Sequence, residues 1–91
     1  MKPIVRKGIV AKSQKGRDKG RLFVVLYEMD ADFVMICDGM THPLGHLKKK
    51  RRKHLLPIGM ELPDIIEKHE ANRLLDSDVR KALAAVAVGL S

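Results

Sequence analysis

Six consecutive cationic residues, Lys48–Lys53, form the most concentrated chemical feature of this 91-residue sequence. Adjacent like charges repel one another, and the phosphates of a polyanion relieve that repulsion on binding. In a regular strand these side chains would alternate between two faces, and one set would enter the core, where an unpaired ammonium group is very costly. The run therefore predicts an exposed loop or a protruding hairpin that binds phosphates. A solvated loop without a partner and a nuclear-import signal are the alternatives.

A second cationic segment contains two glycines, Gly16 and Gly20, on either side of Asp18. A nucleotide-binding P-loop needs four residues between its glycines and then Lys with Ser or Thr, whereas three intervene here and Arg21-Leu22 follow, so that motif is excluded. A turn of this composition suits the backbone of a nucleic acid, with Asp18 capping it through backbone N–H groups. An ordinary basic hairpin is the alternative. The cations of this turn are Lys15, Arg17, Lys19 and Arg21.

Charge is distributed unevenly along the chain. Residues 1–60 contain 14 Lys and Arg against 5 Asp and Glu, a net charge of +9, whereas residues 61–91 contain 4 against 6, a net charge of −2. This asymmetry predicts a polyanionic partner for the first segment only. Nucleic acid is the leading candidate, and an anionic membrane surface is the second.

The cysteine content and the apolar runs bear on the compartment. Cys37 is the only cysteine, so an intramolecular disulfide cannot form and a reducing compartment is expected. Residues 1–7 include charge before any apolar stretch reaches signal-peptide length. The longest apolar run, Ala82–Leu90, is far shorter than the roughly 20 residues that cross a bilayer. We therefore expect a cytoplasmic protein that does not span a membrane.

Metal binding and catalysis have weak support in the sequence. His42 and His46 have the four-residue offset of two ligands on one helical turn, but Pro43 and Gly45 disfavour a helix there. With Cys37 as the sole thiol and no second ligand pair, we expect no metal. No serine or cysteine nucleophile has an evident catalytic partner. We therefore predict a protein that is not an enzyme and needs no cofactor.

The chain contains three aromatic residues, Phe23, Tyr27 and Phe33, which lie within apolar segments or at their ends. Packing in the core is their expected use. Proteins that read single-stranded RNA usually expose aromatic side chains on which bases stack. The sequence therefore predicts recognition of RNA shape and phosphates.

The apolar segments of the first 60 residues predict short strands. Residues 3–13 suit a bent strand, residues 22–27 a strand buried on both faces, and residues 33–37 a third strand. Asp38-Gly39 predicts a tight hairpin turn, residues 40–53 return antiparallel, and residues 55–58 supply a short closing strand. Because closure removes the exposed edges of so short a sheet, we expect a small five-stranded barrel, mainly β in class.

After Gly59 the spacing becomes helical. Leu62, Ile65, Ile66 and His69 are spaced i, i+3, i+4 and i+7, which predicts one amphipathic helix. A second helix, capped by Asp76 or Ser77, places four apolar residues on one face and ends near Gly89. Residues 1–60 are thus expected to form the β domain and residues 61–91 a two-helix tail. The four apolar residues are Val79, Ala82, Leu83 and Val86.

Three segments in order, Gly8–Ser13, Gly16–Arg21 and Phe23–Val25, resemble the KOW motif. The pattern continues as in bacterial KOW-domain RNA-binding proteins related to the ribosomal proteins L14e, L6e and L27e, and the resemblance covers residues 5–58. Leu47 departs from it, because a proline is expected before the lysines. The continuing elements are Asp38-Gly39, Lys48–Arg52 and Lys53–Leu55.

The resemblance implies an SH3-like barrel and a role on RNA, typically ribosomal RNA. In that motif the second loop glycine, here Gly20, permits the tight turn between the first two strands. The residues expected to contact RNA are Lys12, Lys15, Arg17, Lys19, Arg21, His46, Lys48, Lys49, Lys50, Arg51, Arg52, Lys53 and His54. The residues expected to shape turns are Gly16, Asp18, Gly20, Asp38 and Gly39.

The sequence is compatible with three functions. The first is a non-enzymatic protein that binds rRNA on the ribosome, with no small-molecule substrate and no membrane partner. The second is a protein-interaction module or a transcription or translation factor module, whose helical tail contacts a ribosomal or translation-factor protein. The third is a membrane-surface protein that uses the polybasic run.

Overall fold

A computed structural model describes residues 4–90 of the chain. Its described part contains five strands, two α-helices and two short 3-10 turns, at Leu44–His46 and Arg52–His54. The strands are β1 (Ile9–Ser13), β2 (Leu22–Glu28), β3 (Phe33–Cys37), β4 (Lys48–Arg51) and β5 (Leu55–Glu61), and the α-helices are α1 (Pro63–Glu70) and α2 (Asp76–Leu90). None of the helices within residues 4–90 has the length and apolar character that a bilayer crossing requires.

The five strands form one antiparallel sheet in the order β4-β3-β2-β1-β5. The sheet is open, since β4 and β5 are its two edges. Only the 3-10 turn Arg52–His54 joins these edges, and three residues span so little distance that the sheet must curl to bring the edges near each other. The expected mainly-β sheet with two helices after it is therefore confirmed, whereas closure by hydrogen bonds between the edges is not shown.

The first predicted strand is shorter than expected. β1 begins at Ile9 and is preceded by a turn at residues 7–8, while Pro3 lies outside the described residues. The backbone N–H of Gly8, at φ +92°, donates to Val25 O at 2.7 Å. A bulge between Ile9 and Ala11 bends the strand where it pairs with β5, as the glycine and lysine interruptions predict.

β2 separates two apolar cores, as predicted for a strand buried on both faces. Phe23–Leu26 are four consecutive buried residues whose side chains alternate between the faces. The inner core comprises Val5, Ile9, Ala11, Phe23, Val25, Val34, Ile36 and Leu55. The outer core comprises Val10, Val24, Leu26 and Cys37 from the strands and Ile65, Ile66, Val79, Leu83 and Val86 from the helices.

The two helices cover the outer face of the sheet, with the apolar residues that their spacing predicts. Pro63 occupies the first turn of α1, where its missing N–H costs nothing. At the start of α2, Asp78 Oδ2 accepts the backbone N–H of Leu75 at 3.0 Å. Asp76, one of the two predicted caps, instead accepts the N–H of Leu44 at 2.8 Å, which joins α2 to the segment before β4. α2 continues through Gly89 to Leu90.

The Asp38-Gly39 turn forms, but it does not lead directly into β4. Asp38 Oδ1 accepts the N–H groups of Met40 and His42, at 2.9 and 2.8 Å, and a 3-10 turn then precedes Lys48. Gly39 has φ +75°, and a Cβ there would lie 2.5 Å from the carbonyl oxygen of Asp76. The expected tight hairpin is therefore a longer connection, because it must also pack against the beginning of α2.

Candidate nucleic-acid interface

The first four residues of the basic run form the edge strand β4, which corrects the predicted loop or hairpin. β4 pairs with β3, with Lys49 opposite Met35 and Arg51 opposite Phe33. Three of its four side chains are exposed, and Lys50 is half-buried. A lysine strand is tolerated here because it is short and lies at an edge, where neither set of side chains enters the core.

The two sets of side chains on β4 reach different neighbours. On one face, Lys49 Nζ lies 4.4 Å from the ring centroid of Phe33 and Arg51 Cζ lies 4.8 Å from it, within the range of cation–π attraction. On the other, Lys50 Nζ donates to the carbonyl oxygen of Lys15 at 2.9 Å. β4 thus borders the ring of Phe33 on one side. On the other side it borders the loop that contains Gly16 and Gly20, which we call the glycine loop and define as residues 14–21.

The glycine loop and residues 48–54 meet at two points. Besides the bond from Lys50 to Lys15, the backbone N–H of Gln14 donates to His54 O at 2.8 Å. A Cβ placed on Gly16 would lie 3.8 Å from Lys50 Nζ. Two cationic segments that are 35 residues apart in sequence therefore form one surface. We call this surface the basic seam and define it as Lys15, Lys50, Lys53 and His54.

The electrostatics of His54 show how closely these charges approach one another. Desolvation lowers the pKa of this imidazole from its ordinary value of 6.5, and the charges of Lys15, Lys53, Lys50 and Arg51 lower it further. The cations of both segments thus act on one side chain. An anion bound there would relieve their repulsion.

The other side of the glycine loop is tied to the segment after β3. Asp18 Oδ2 lies 3.1 Å from His42 Nε2, and both side chains are largely buried. Arg21 Nη1 donates to Thr41 Oγ1. Asp18 thus contacts a distant histidine, whereas the sequence predicts a cap on its own turn. Gly16 and Gly20 adopt φ of +82° and +89°, the backbone region that favours glycine.

Arg52, predicted to contact RNA, is directed into the protein. Its Nη1 lies 2.8 Å from Glu28 Oε1 and also donates to Val5 O, while Nη2 donates to Asp30 O at 2.7 Å. These bonds connect the 3-10 turn Arg52–His54, between β4 and β5, with the end of β2 at Glu28 and the turn that follows it at Asp30. Arg52 therefore stabilises the fold, because its donors are already used by the protein.

The remaining predicted RNA contacts are more dispersed. Lys48, like Lys49, is an exposed residue of β4. Within residues 4–90, no hydrogen bond or ion pair joins the other four to the basic seam. They extend the cationic surface without being held to it. These four exposed residues are Lys12, Arg17, Lys19 and His46.

Cys37 is buried in the outer core, next to Asp38. Burial, together with repulsion from the carboxylates of Asp38 and Asp76, raises the pKa of the thiol to about 12. A protonated, enclosed thiol is a poor nucleophile and a poor metal ligand. Within the described residues, no three His, Cys, Asp or Glu side chains form a metal-binding group.

Sequence reasoning missed an aromatic surface. Phe23 is fully buried, as expected, but Tyr27 is 40 % exposed and Phe33 is half-buried beneath the cations of β4. Tyr27 lies opposite Met35, which in turn lies opposite Lys49. The position of Tyr27 next to Glu28 at the end of β2 is the one signal in the sequence that suggests exposure.

Comparison with protein-family models and with curated proteins adds no relative. No protein-family model matches this sequence, and no curated protein is significantly similar to it. The resemblance to KOW-domain proteins therefore depends on the ordered elements between residues 5 and 58. The geometry of the basic seam is independent of that resemblance.

Proposed function

We propose that this chain is a non-enzymatic RNA-binding protein that contacts structured RNA, namely rRNA on the ribosome, through phosphates at the basic seam. The observation that carries the proposal is the hydrogen bond from Lys50 Nζ to Lys15 O, which joins the two cationic segments. Cations held close together on a folded surface bind a polyanion with little further loss of conformational entropy.

The distribution of charge supports the same conclusion. The seam lies in the segment with a net charge of +9, whereas the helices belong to the segment with a net charge of −2. A polyanion is therefore attracted to the strand side of the protein and weakly repelled from the helices. A folded RNA, which presents phosphates along a rigid surface, suits a rigid array of cations.

The strand arrangement is compatible with the SH3-like barrel that the KOW resemblance implies. The edges of the five-stranded sheet are joined by three residues, and Gly20 adopts the positive φ that the motif requires. A cytoplasmic location, where RNA is abundant, fits the single cysteine. We propose no cofactor and no small-molecule substrate.

The direct test is a charge reversal in both segments, Lys15→Glu with Lys50→Glu. We expect this variant to bind a structured rRNA fragment at least about tenfold more weakly, because two cations are lost and two anions are introduced near the phosphates. The matched control, Arg73→Glu with Lys81→Glu, makes the same change in net charge at two exposed residues at and near the helices. Equal loss in both variants, measured by fluorescence anisotropy, would mean that net charge alone governs binding.

The salt dependence provides a second measure. If about six phosphates are contacted, log affinity falls against log salt concentration with a slope of roughly −4 to −5. A flat response rejects the proposal.

Association with the ribosome is tested by sedimentation of lysate, in which the wild-type protein should co-migrate with one subunit and dissociate at high salt. If the variant Arg73→Glu with Lys81→Glu dissociates from the ribosome and the variant Lys15→Glu with Lys50→Glu does not, the protein-interaction alternative is favoured.

A further inference from the structure

The outer face of the sheet is only partly covered by the helices. The part that includes Val24 and Cys37 packs against α1 and α2, whereas the part that includes Phe33 and Met35 does not belong to that core. Because alternate residues of a strand share a face, Phe33, Met35 and Cys37 all project to the outer side of β3. One continuous face thus has an apolar, covered end and an open end.

The open end combines aromatic and cationic side chains. Tyr27 lies opposite Met35, and across β4 the partners of Met35 and Phe33 are Lys49 and Arg51. A bulge in β2 between Val25 and Tyr27 shifts the register, so Tyr27 projects to the same face as Met35. Directly opposed residues share a face, so all five side chains lie on the same surface. The cation–π contacts to Phe33 show that Lys49 and Arg51 project over it. We call this surface, formed by Tyr27, Phe33, Met35, Lys49 and Arg51, the aromatic platform.

We propose that the aromatic platform stacks an unpaired RNA base while Lys49 and Arg51 contact the adjacent phosphates. This inference rests on the proposed function and adds to it a preference for RNA that carries a single-stranded nucleotide next to its structured part. β4 lies between the platform and the basic seam, since Lys50 reaches Lys15 on its other side. RNA along this strand would present phosphates to one surface and a base to the other.

The chemistry of the platform favours a nucleotide as its occupant. Tyr27 offers an exposed aromatic ring, and the planar guanidinium of Arg51 is a second stacking surface. A purely apolar partner segment would have to desolvate Lys49 and Arg51, which is costly. Asp30 Oδ1 accepts the backbone N–H groups of Asp32 and Phe33, both at 2.8 Å, and its carboxylate attracts Lys49. Lys49 and Arg51 together outweigh this one acid, so the platform presents positive charge around the Phe33 ring.

Tyr27 supplies its own reporter, because it is the only tyrosine and the chain has no tryptophan. The test compares three RNA probes: a blunt-ended hairpin, the same hairpin with three unpaired adenosines at its 3′ end, and a version with three abasic residues there. We expect the adenosines to quench tyrosine fluorescence and to raise affinity about tenfold over the abasic version, which has the same charge. The blunt and abasic probes should leave the fluorescence nearly unchanged.

Two variants locate the effect. Tyr27→Ala should abolish the preference for adenosines over abasic residues, measured with labelled RNA, and should leave affinity for the blunt hairpin unchanged. Tyr27→Phe should retain the preference, since the ring is kept. Leu75→Ala, which truncates a side chain that is 62 % exposed next to the helices, is the matched control and should behave as wild type.

The outcomes separate this inference from the proposed function. If the blunt hairpin binds with the expected salt dependence but adenosines bind no better than abasic residues, the platform does not stack a base and the proposed function stands. If none of the three probes binds, both proposals fail. Quenching with the adenosine probe that persists unchanged in Leu75→Ala, together with a lost preference in Tyr27→Ala, supports the inference.

Discussion

The sheet of this protein has two regions that differ in their environment. We call the region that α1 and α2 cover the helix side, and the region around β4, the glycine loop and Tyr27 the strand side. On the helix side, α1 and α2 contribute five of the nine buried residues of the outer core. On the strand side, β4 and the glycine loop expose cations to solvent, and Tyr27 of β2 is 40 % exposed. β3 spans both regions, since Cys37 is in the outer core and Phe33 lies beneath Lys49 and Arg51. The helices therefore stabilise a sheet whose other end is free to bind.

This division changes how the tail must be tested. A tail that was independent of the sheet would be removable by deleting residues 61–91. Here the deletion would expose Val10, Val24, Leu26 and Cys37, which are almost fully buried. Loss of RNA binding after such a deletion would report unfolding, so single substitutions are needed to separate stability from binding.

The largest expected effect is on the helix side, from Val79→Asp. Val79 is fully buried in the outer core, and an unpaired carboxylate there should lower the free energy of unfolding by about 3–5 kcal/mol. A small domain has only about 5–15 kcal/mol in total, so urea denaturation should show a large loss of stability.

The control for that variant is Ala85→Asp, which places the same charge on an exposed position of α2. Its cost should stay below about 1 kcal/mol, mostly from the lower helix propensity of aspartate. Equal stability of the two variants would mean that α2 does not pack on the sheet. The distinction between a stabilising helix side and a binding strand side would then be wrong.

A smaller effect is expected at the junction between the sides, from Gly39→Ala. Gly39 has φ +75°, its carbonyl accepts a hydrogen bond from Arg80 Nη1 at 2.9 Å, and a Cβ would lie 2.5 Å from Asp76 O. Strain and steric overlap should together cost about 2–3 kcal/mol in thermal or urea unfolding. Gly45→Ala is the matched control, because nothing lies within 4 Å of its Cβ position, and it should change stability by less than about 0.5 kcal/mol.

On the strand side, Arg52 and Lys53 should separate stability from binding. Arg52→Ala removes hydrogen bonds to Asp30 O and Val5 O and the ion pair with Glu28, and we expect a loss of about 1.5–3 kcal/mol. Lys53→Ala should leave the unfolding free energy within about 0.5 kcal/mol of wild type and weaken RNA binding. The reverse pattern would show that Arg52 contacts RNA, as its place in the basic run first suggested.

Much of the fold follows from local patterns in the sequence. The apolar run of β2 predicts a strand buried on both faces, and the helical spacing from Leu62 to Val86 predicts α1, α2 and their buried residues. Gly16 and Gly20 predict a loop between the first two strands, and both adopt positive φ there. These features depend on neighbouring residues, so the sequence alone is enough to find them.

The structure differs from the expectations based on sequence where contacts between distant residues determine the position of a side chain or strand. Lys48–Arg51 can form a strand because β4 is an edge, and edge status depends on the order of all five strands. Arg52 is indistinguishable from its neighbours in sequence, yet its side chain pairs with Glu28 and donates to Asp30 O. The pairing of Asp18 with His42 likewise joins loops that are 24 residues apart. Contacts at such separations leave no periodicity that a sequence pattern can reveal.

The smallest expected effect is a pH dependence of RNA binding, which comes from His54 in the basic seam. In the free protein, desolvation and the surrounding cations, Lys15, Lys53, Lys50 and Arg51, lower the pKa of this imidazole below 6.5. Phosphates neutralise those cations, so the pKa in the bound state is higher and binding takes up a proton. Affinity should therefore rise as pH falls through the range between the two pKa values.

The free protein should respond to pH with the opposite sign. A lowered pKa means that the folded state binds fewer protons than the unfolded state, so stability declines as pH falls below the ordinary pKa of 6.5. Affinity measured by anisotropy between pH ~8 and ~5 should show the rise in wild type and lose much of it in His54→Gln. His46→Gln should retain it, because His46 is exposed and has no hydrogen bond or ion pair to the seam within residues 4–90. A pH dependence that disappears only in His46→Gln would place the bound phosphates near the 3-10 turn Leu44–His46, away from the contact between Lys15 and Lys50.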